Sequence, residues 1–305
     1  MTTEELSVLL NTDPAAVLEN DRRRYFRQIV DAADLIAANA EKRPVICLAG
    51  PSGSGKTTTA LLIERELDQR GMETHTLQMD DFFSPLTPQE LELMKENRLD
   101  LEKPTRVDVP FFQEQLDHIL AGDEIQLPRY DFKTSKRVFE GKTLHRKPGE
   151  LVIMEGIHAL NPSVTGHMET TTRIYVSVRT RITAGSGLVL HPSKIRLARR
   201  LLRDRTCRGR KLTETIDMRK RVDRGEQNYI MPFKNNAHFS IDSFYSAELS
   251  VYKPYLFEDL QALVPDYPDL EDLVLILSEL PAVDSSLLPR DSLLREFIGG
   301  SELDY

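Results

Sequence analysis

The segment Gly50-Pro51-Ser52-Gly53-Ser54-Gly55-Lys56-Thr57 satisfies the spacing G-x-x-x-x-G-K-[ST]. Glycines at these places let successive backbone N–H groups curl around an anion, and a helix beginning near Lys56 adds the positive end of its dipole. Lys56 is long enough to reach the outer phosphates of a nucleotide, and the Thr57 hydroxyl is a ligand for Mg²⁺. The run from Gly50 to Thr58 is therefore read as a cradle for ATP. Two acidic positions follow that a phosphate site can use. Asp80-Asp81 closes the apolar run "THTLQM", and Glu155 closes "LVIM". A carboxylate at the first place can take a proton from an acceptor hydroxyl and help to hold Mg²⁺, with Asp80 favoured; Glu155 occupies the place of a Walker B acid. Glu155 is a single acid rather than an Asp-Glu pair, and no N-K-x-D guanine signature occurs.

The third source of chemistry is "KIRLARRLLRDRTCRGRK", where Arg196, Arg199/Arg200 and Arg203 recur at helical spacing. Phosphoryl transfer passes through a loose transition state in which cations do most of the work. Next to a phosphate loop, these arginines read as a clamp rather than a solvated face. The Gly185/Ser186/Gly187 stretch before them is expected to act as its hinge.

Such groups need a scaffold that brings them to one edge. "VICLA" at 45–49 is a short, fully apolar strand of the kind buried in a parallel sheet. A helix is expected over about 56–69, ending at Gly71, with further core strands in "THTLQM", "LVIMEG", "RIYVSV" and "HFSID". Thr87-Pro88 with Glu90 forms a capping box, and Asp108 with Gly122 brackets another helix. "EIQLPRYDFKTSKRVFEGKTLHRKPG" reads as short strands forming an arm. Residues from about Asp13 to Ala40 read as helix with Tyr25, Ile29, Ala32/Ala33 and Ile36 on one side. The predicted fold is α/β: a P-loop NTPase three-layer architecture with a mainly parallel sheet, a β arm and an arginine-rich helical lid. Its expected divisions are an N-terminal helical extension (1–42), the P-loop unit (43–301, lid about 181–211) and a short tail (302–305).

Composition narrows the setting. The chain has 305 residues, 40% of them hydrophobic and 29% charged, as in ordinary globular proteins. Its formal net charge of −8 argues against nucleic acid as a partner. No apolar run reaches membrane-spanning length, and the acidic start "MTTEEL" is no signal peptide. Cys47 and Cys207 make neither a disulfide framework nor a metal-ligand spacing, so a cytoplasmic setting is expected.

Taken in order, "GPSGSGKTT", "MDDFF", "LPRYDFKTSKR", "VIMEGIHALN", "RLARRLLRDRTCRGR" and "LREFIGG" resemble the uridine kinase branch of the phosphoribulokinase/uridine kinase family, over about Arg43 to Ser301. The likeness is to bacterial uridine kinase-like proteins, here without room for the TGS domain that often precedes the kinase. It implies transfer of the γ-phosphoryl group of ATP to a hydroxyl, in uridine kinases the 5′-hydroxyl of uridine or cytidine, and makes a homo-oligomer an expectation. Carried over by motif, Asp80 matches the general base and also the metal side with Thr57 and Glu155, and Lys56 matches the phosphate lysine. Phe83, Tyr130 and Asp131 fall on the acceptor side, and Arg196, Arg203 and Arg208 where lid and sugar-side arginines lie; Arg196 is expected on the acceptor, Arg199 and Arg208 on the nucleotide, and Arg203 in catalysis. Two departures stand out. Glu102 in "LEKP" replaces an aspartate that holds ribose hydroxyls, and Ser135 replaces a histidine that reads the pyrimidine edge. Rival readings are a kinase of another acceptor (sugar phosphate, pantothenate-like compound or glycerate), with Lys133, Lys136 and Arg137 supplying cations, and a nucleotide-binding regulator that transfers nothing.

Overall fold

The computed structural model describes residues 1–96, 98–166 and 169–303; the last two residues of the expected tail, 304–305, lie outside them. Along the chain the elements are α1 (Thr3–Thr12), α2 (Pro14–Ala37), β1 (Val45–Ala49), α3 (Lys56–Gln69), β2 (Thr74–Gln78), α4 (Pro88–Lys95), α5 (Val109–Ala121), β3 (Glu124–Asp131), β4 (Lys136–His145), β5 (Leu151–Glu155), α6 (Pro162–Thr165), β6 (Thr171–Ser177), β7 (Ile182–Thr183), β8 (Val189–Leu190), α7 (Pro192–Arg208), α8 (Leu212–Gly225), β9 (Phe239–Asp242), α9 (Glu248–Leu263), α10 (Glu271–Glu279) and α11 (Arg295–Ile298).

Five parallel strands form the central sheet in the order β2–β5–β1–β6–β9. Each β1 residue is buried, and alternate residues enter opposite cores: Ile46 and Leu48 join α2, α3, α7 and α9, whereas Val45, Cys47 and Ala49 join α5 and the end of β2. That two-sided burial explains why these strands read as continuous apolar runs. Because β1 lies between β5 and β6 while the chain leaves it for β2, the carboxyl ends of the strands open a crevice where this class of sheet binds ligands.

The arm is an antiparallel pair, β3 with β4, with an irregularity between Gln126 and Pro128. The caps lie where expected, Thr87 with Glu90 on α4 and Asp108 with Gly122 on α5. The helix expected over about 13–40 is α2, capped by the Asp13 side chain, and a further helix, α1, precedes it. Leu6, Tyr25, Ile29 and Ile36 of these helices are buried in the same core as the sheet, and Tyr25 Oη meets Thr59 Oγ1 at 2.8 Å. The glycine stretch before the arginine helix is no open hinge. It is the turn of the β7–β8 hairpin, closed by Gly187 N–H to Ala184 O, and pinned where Gly185 N–H donates to Glu279 and Thr183 N–H to the Met1 carbonyl.

Candidate active site

Between β1 and α3 the chain turns so tightly that glycine is required. A Cβ at Gly50 would lie 2.0 Å from Val176 O. Gly53 has φ +75°, and a Cβ there would sit 2.9 Å from Arg196 O on α7. Lys56 begins α3, and its Nζ donates toward Pro51 O at 3.5 Å, which folds the side chain back over the loop.

The parallel register brings the acids to this loop. Leu48 of β1 and Gln78 of β2 both pair with Glu155 of β5, so Glu155 ends its strand between the other two. Thr57 Oγ1 donates to Glu155 Oε2 at 3.3 Å, and Lys56 Nζ lies 3.7 Å from Oε1. Asp80 follows Gln78 in the single helical turn Met79–Phe82, which packs against Gly156 so closely that a Cβ there would be 2.6 Å from that of Met79. Burial raises the Asp80 carboxyl, while the charges of Lys56, Arg208 and Arg203 pull it back down. Burial pushes Glu155 up to about 7 against the pull of Lys56, with Asp80 and Glu296 adding to the rise. Glu102 also stands at about 7, raised by burial and by Asp80 and Asp100, and lowered by Arg200 and Lys56. Asp80 thus repels both Glu155 and Glu102, Lys56 attracts all three, and Arg200, Arg203 and Arg208 add further positive charge. The hydroxyl of Thr57 with the carboxylates of Glu155 and Asp80 is an all-oxygen donor set, which suits Mg²⁺ carrying part of its water shell.

Toward the arm, Asp81 Oδ1 accepts from Tyr130 N–H at 3.0 Å and so fastens the arm to the sheet edge. Tyr130 is buried and packs edge-on against Phe83 and Phe132, with ring centroids 5.6 and 5.1 Å away. Glu102 packs on Gly225, where a Cβ would come within 2.3 Å of its own. Asp131 lies at the arm's tip, where its oxygens accept from Lys133 N–H and Thr134 Oγ1 and so hold the turn. Ser135 is buried at φ +54° with its carbonyl bound by Leu86 N–H, a position that shapes the hairpin.

The arginine helix divides in two. From Lys194 to Leu202 it is buried, and its more exposed end lies near Arg203–Lys211. Arg199, expected on the nucleotide, is fully buried and bonded to Glu248, Ser243 and Gly53 O, behind the loop rather than over it. Arg196, expected on the acceptor, is also buried and pairs with Glu226. The charges of Arg203 and Arg208 both act on Asp80, while their guanidinium groups lie 3.7 and 3.1 Å from Asp204. Asp204 organises them: its carboxylate accepts from Arg208 Nη1 and Thr215 Oγ1, each at 3.1 Å, and lies 3.5 Å from Arg210.

Comparison with known proteins decides the assignment. A model of the Phosphoribulokinase / Uridine kinase family matches residues 45–250, more than half of the chain. The chain belongs to this family. Relatives include the uridine kinase of Lactobacillus helveticus (strain DPC 4571), 31% identical over 178 residues, which are 58% of this chain and 75% of that protein. The uridine kinase of Borrelia duttonii (strain Ly) is 29% identical over 224 residues, 73% of this chain and 96% of its own length. A solved structure described as a possible uridine kinase from Bacillus stearothermophilus aligns with TM-score 0.42 and 17% identity, over 70% of this chain and 98% of that one.

As a member of the phosphoribulokinase/uridine kinase family, the chain is a phosphotransferase acting on a hydroxyl group of a small molecule. Sequence reasoning missed several residues that complete the site. Glu296 accepts from Thr58 Oγ1, Leu293 covers Gly55, and Ser243 and Glu248 hold Arg199. No local spacing ties them to the loop, because they arrive from two distant stretches, 243–248 and 293–296. Arg106 is another: it is buried, donates to Ser84 O and Tyr130 Oη, and lies over the Phe83 ring at 5.5 Å.

Proposed function

We propose that this kinase transfers the γ-phosphoryl group of ATP, bound with Mg²⁺, to the 5′-hydroxyl of uridine, cytidine or a related nucleoside in the cytoplasm. The observation that carries the reading is the place of Asp80, at the tip of the strand beside Glu155 and under the fields of Lys56, Arg203 and Arg208. In this reading the amides of Gly50 to Thr58, with Pro51, Ser52, Ser54 and Gly55 forming the curve, hold the triphosphate. Asp80 accepts the proton of the acceptor hydroxyl as its oxygen bonds to phosphorus and the bond to the departing ADP oxygen breaks. Lys56, Arg203 and Arg208 offset the charge on the moving group. Thr57, Glu155 and Asp80 would hold Mg²⁺, which supplies charge neutralisation at the phosphate oxygens. Phe83, Tyr130 and Glu102 form the acceptor wall. The names of the relatives support a nucleoside at that wall.

A second reading, a carboxylate- or phosphate-bearing acceptor, is favoured by Arg106 and Arg137. Both guanidinium groups lie against the aromatic wall, Arg106 over Phe83 and Arg137 at 4.1 Å over Phe111. ADP release measured with nucleosides, sugar phosphates, glycerate and pantothenate separates the two. Stimulation by uridine or cytidine supports the first reading, and stimulation confined to anionic acceptors replaces it with the second. Nucleotide binding without acceptor-dependent turnover leaves only a regulator.

A further inference from the structure

The Gly53 and Ser54 carbonyls, next to each other in the loop, are both captured from behind. Gly53 O accepts from Arg199 Nη1 at 3.3 Å, and Ser54 O accepts from Ser243 Oγ at 2.6 Å. The two captors are themselves joined. Arg199 Nη1 donates to Ser243 Oγ at 3.2 Å and Nη2 to the Ser243 carbonyl at 2.7 Å, while Nε donates to Glu248 Oε2 at 2.7 Å. Arg199 and Glu248 are both fully buried, and the guanidinium is backed by the Phe297 ring at 5.2 Å.

A trans peptide is planar, so the N–H that follows a carbonyl points the opposite way. Turning Gly53 C=O toward Arg199 therefore sends Ser54 N–H into the loop, where it donates to Pro51 O at 3.1 Å and closes the curl. Turning Ser54 C=O toward Ser243 sends Gly55 N–H to the concave side, beside the first amides of α3. These are the donors an anion would meet. Without the captors, either peptide could flip and offer a carbonyl oxygen to a phosphate.

We propose that Arg199 and Ser243 are positioning residues that set the two central peptide planes of the phosphate loop, so that the loop's affinity for nucleotide depends on side chains that never touch it. Ser243 lies just past β9 and Arg199 on α7, so the clamp ties the loop to two elements that a loop motif does not include. The inference rests on the reading of this loop as the nucleotide site.

The test uses the full-length protein and Mg²⁺ with ADP or a non-hydrolysable ATP analogue, titrated calorimetrically. Ser243→Ala removes the bond to Ser54 O with little change in volume. Arg199→Lys keeps a buried cation but loses the fork. Ser246→Ala is the control: it deletes a buried bond of similar length, 2.7 Å to Asp21, without touching the loop. The expected result is nucleotide affinity about tenfold weaker in Ser243→Ala and Arg199→Lys, from one or two lost hydrogen bonds. The Ser246→Ala control should bind as wild type does even where its melting temperature falls. In kinetics the loss should sit in the KM for nucleotide, with the KM for acceptor unchanged. Wild-type affinity in folded Ser243→Ala and Arg199→Lys overturns the clamp, as does equal weakening in the control. Failure of the wild-type protein to bind any nucleotide overturns instead the reading of the loop itself.

Discussion

Thr58 Oγ1 donates to Glu296 Oε2 at 2.5 Å, joining the first turn of the phosphate-loop helix to a residue near the other end of the chain. The same C-terminal stretch places Leu293 against Gly55 and Phe297 beneath Arg199. The loop is thus braced from below by residues 293–297. Glu296→Ala should cost about 1.5–3 kcal/mol, the range for a hydrogen bond to a charged group. Thermal unfolding with and without nucleotide checks it; a melting temperature equal to wild type removes the brace.

Asp80→Asn keeps the size of the side chain and removes its basicity. Transfer should fall about 10²–10⁴-fold while nucleotide binding persists. Turnover close to wild type would take Asp80 out of the base role.

Glu155→Gln should weaken the requirement's match to Mg²⁺ rather than empty the loop. Half-maximal activity should move to about 10–100-fold higher Mg²⁺, the size typical when a group beside a metal is lost. A Mg²⁺ titration identical to wild type would exclude Glu155 from the metal side.

The helices before the sheet should prove indispensable. Ile29 is 1% exposed within the shared core, so Ile29→Ala should cost about 2–5 kcal/mol. Removal of residues 1–42 should yield insoluble protein. A soluble, cooperatively unfolding chain from 43 onward would show that the fold does not need these helices.

His158 supplies a pH signature. Burial pushes its imidazole down to about 4, against the nearby backbone of Glu102, Tyr229 and Lys103. An unfolded histidine titrates near 6.5, so between these values the unfolded chain binds a proton that the folded one refuses. The associated stability is whole above about pH 6.5 and is lost as pH falls toward 4. Denaturant midpoints followed across that window should flatten in His158→Gln. An unchanged slope would show that other groups set the acid limit.

Much of this was legible in the residues. The loop, strands β1, β2, β5, β6 and β9, the caps of α4 and α5 and the hairpin arm follow from short-range rules: apolar runs, glycine conformation and capping hydrogen bonds. The arginines were not separable by the same means. Helical spacing says which ones share a face, but the face that meets α9 and the loop buries Arg199, and the free end of the helix carries Arg203 and Arg208 toward Asp80. The glycine-rich run at 185–187 has the composition of a hinge, yet a partner from α10, Glu279, holds it.

The linear chain by itself determined which atoms are available for chemistry: the loop's amides, Lys56 and Thr57, and the acids Asp80 and Glu155 at strand ends. Those features depend on neighbours only a few residues away. Only the tertiary structure decided which arginine faces the crevice and which braces the loop, and that Ser243 and Glu296 belong with a motif far from them in the chain. Packing made those choices, because burial and hydrogen-bond partners depend on surfaces meeting across hundreds of residues, and no local pattern encodes the meeting.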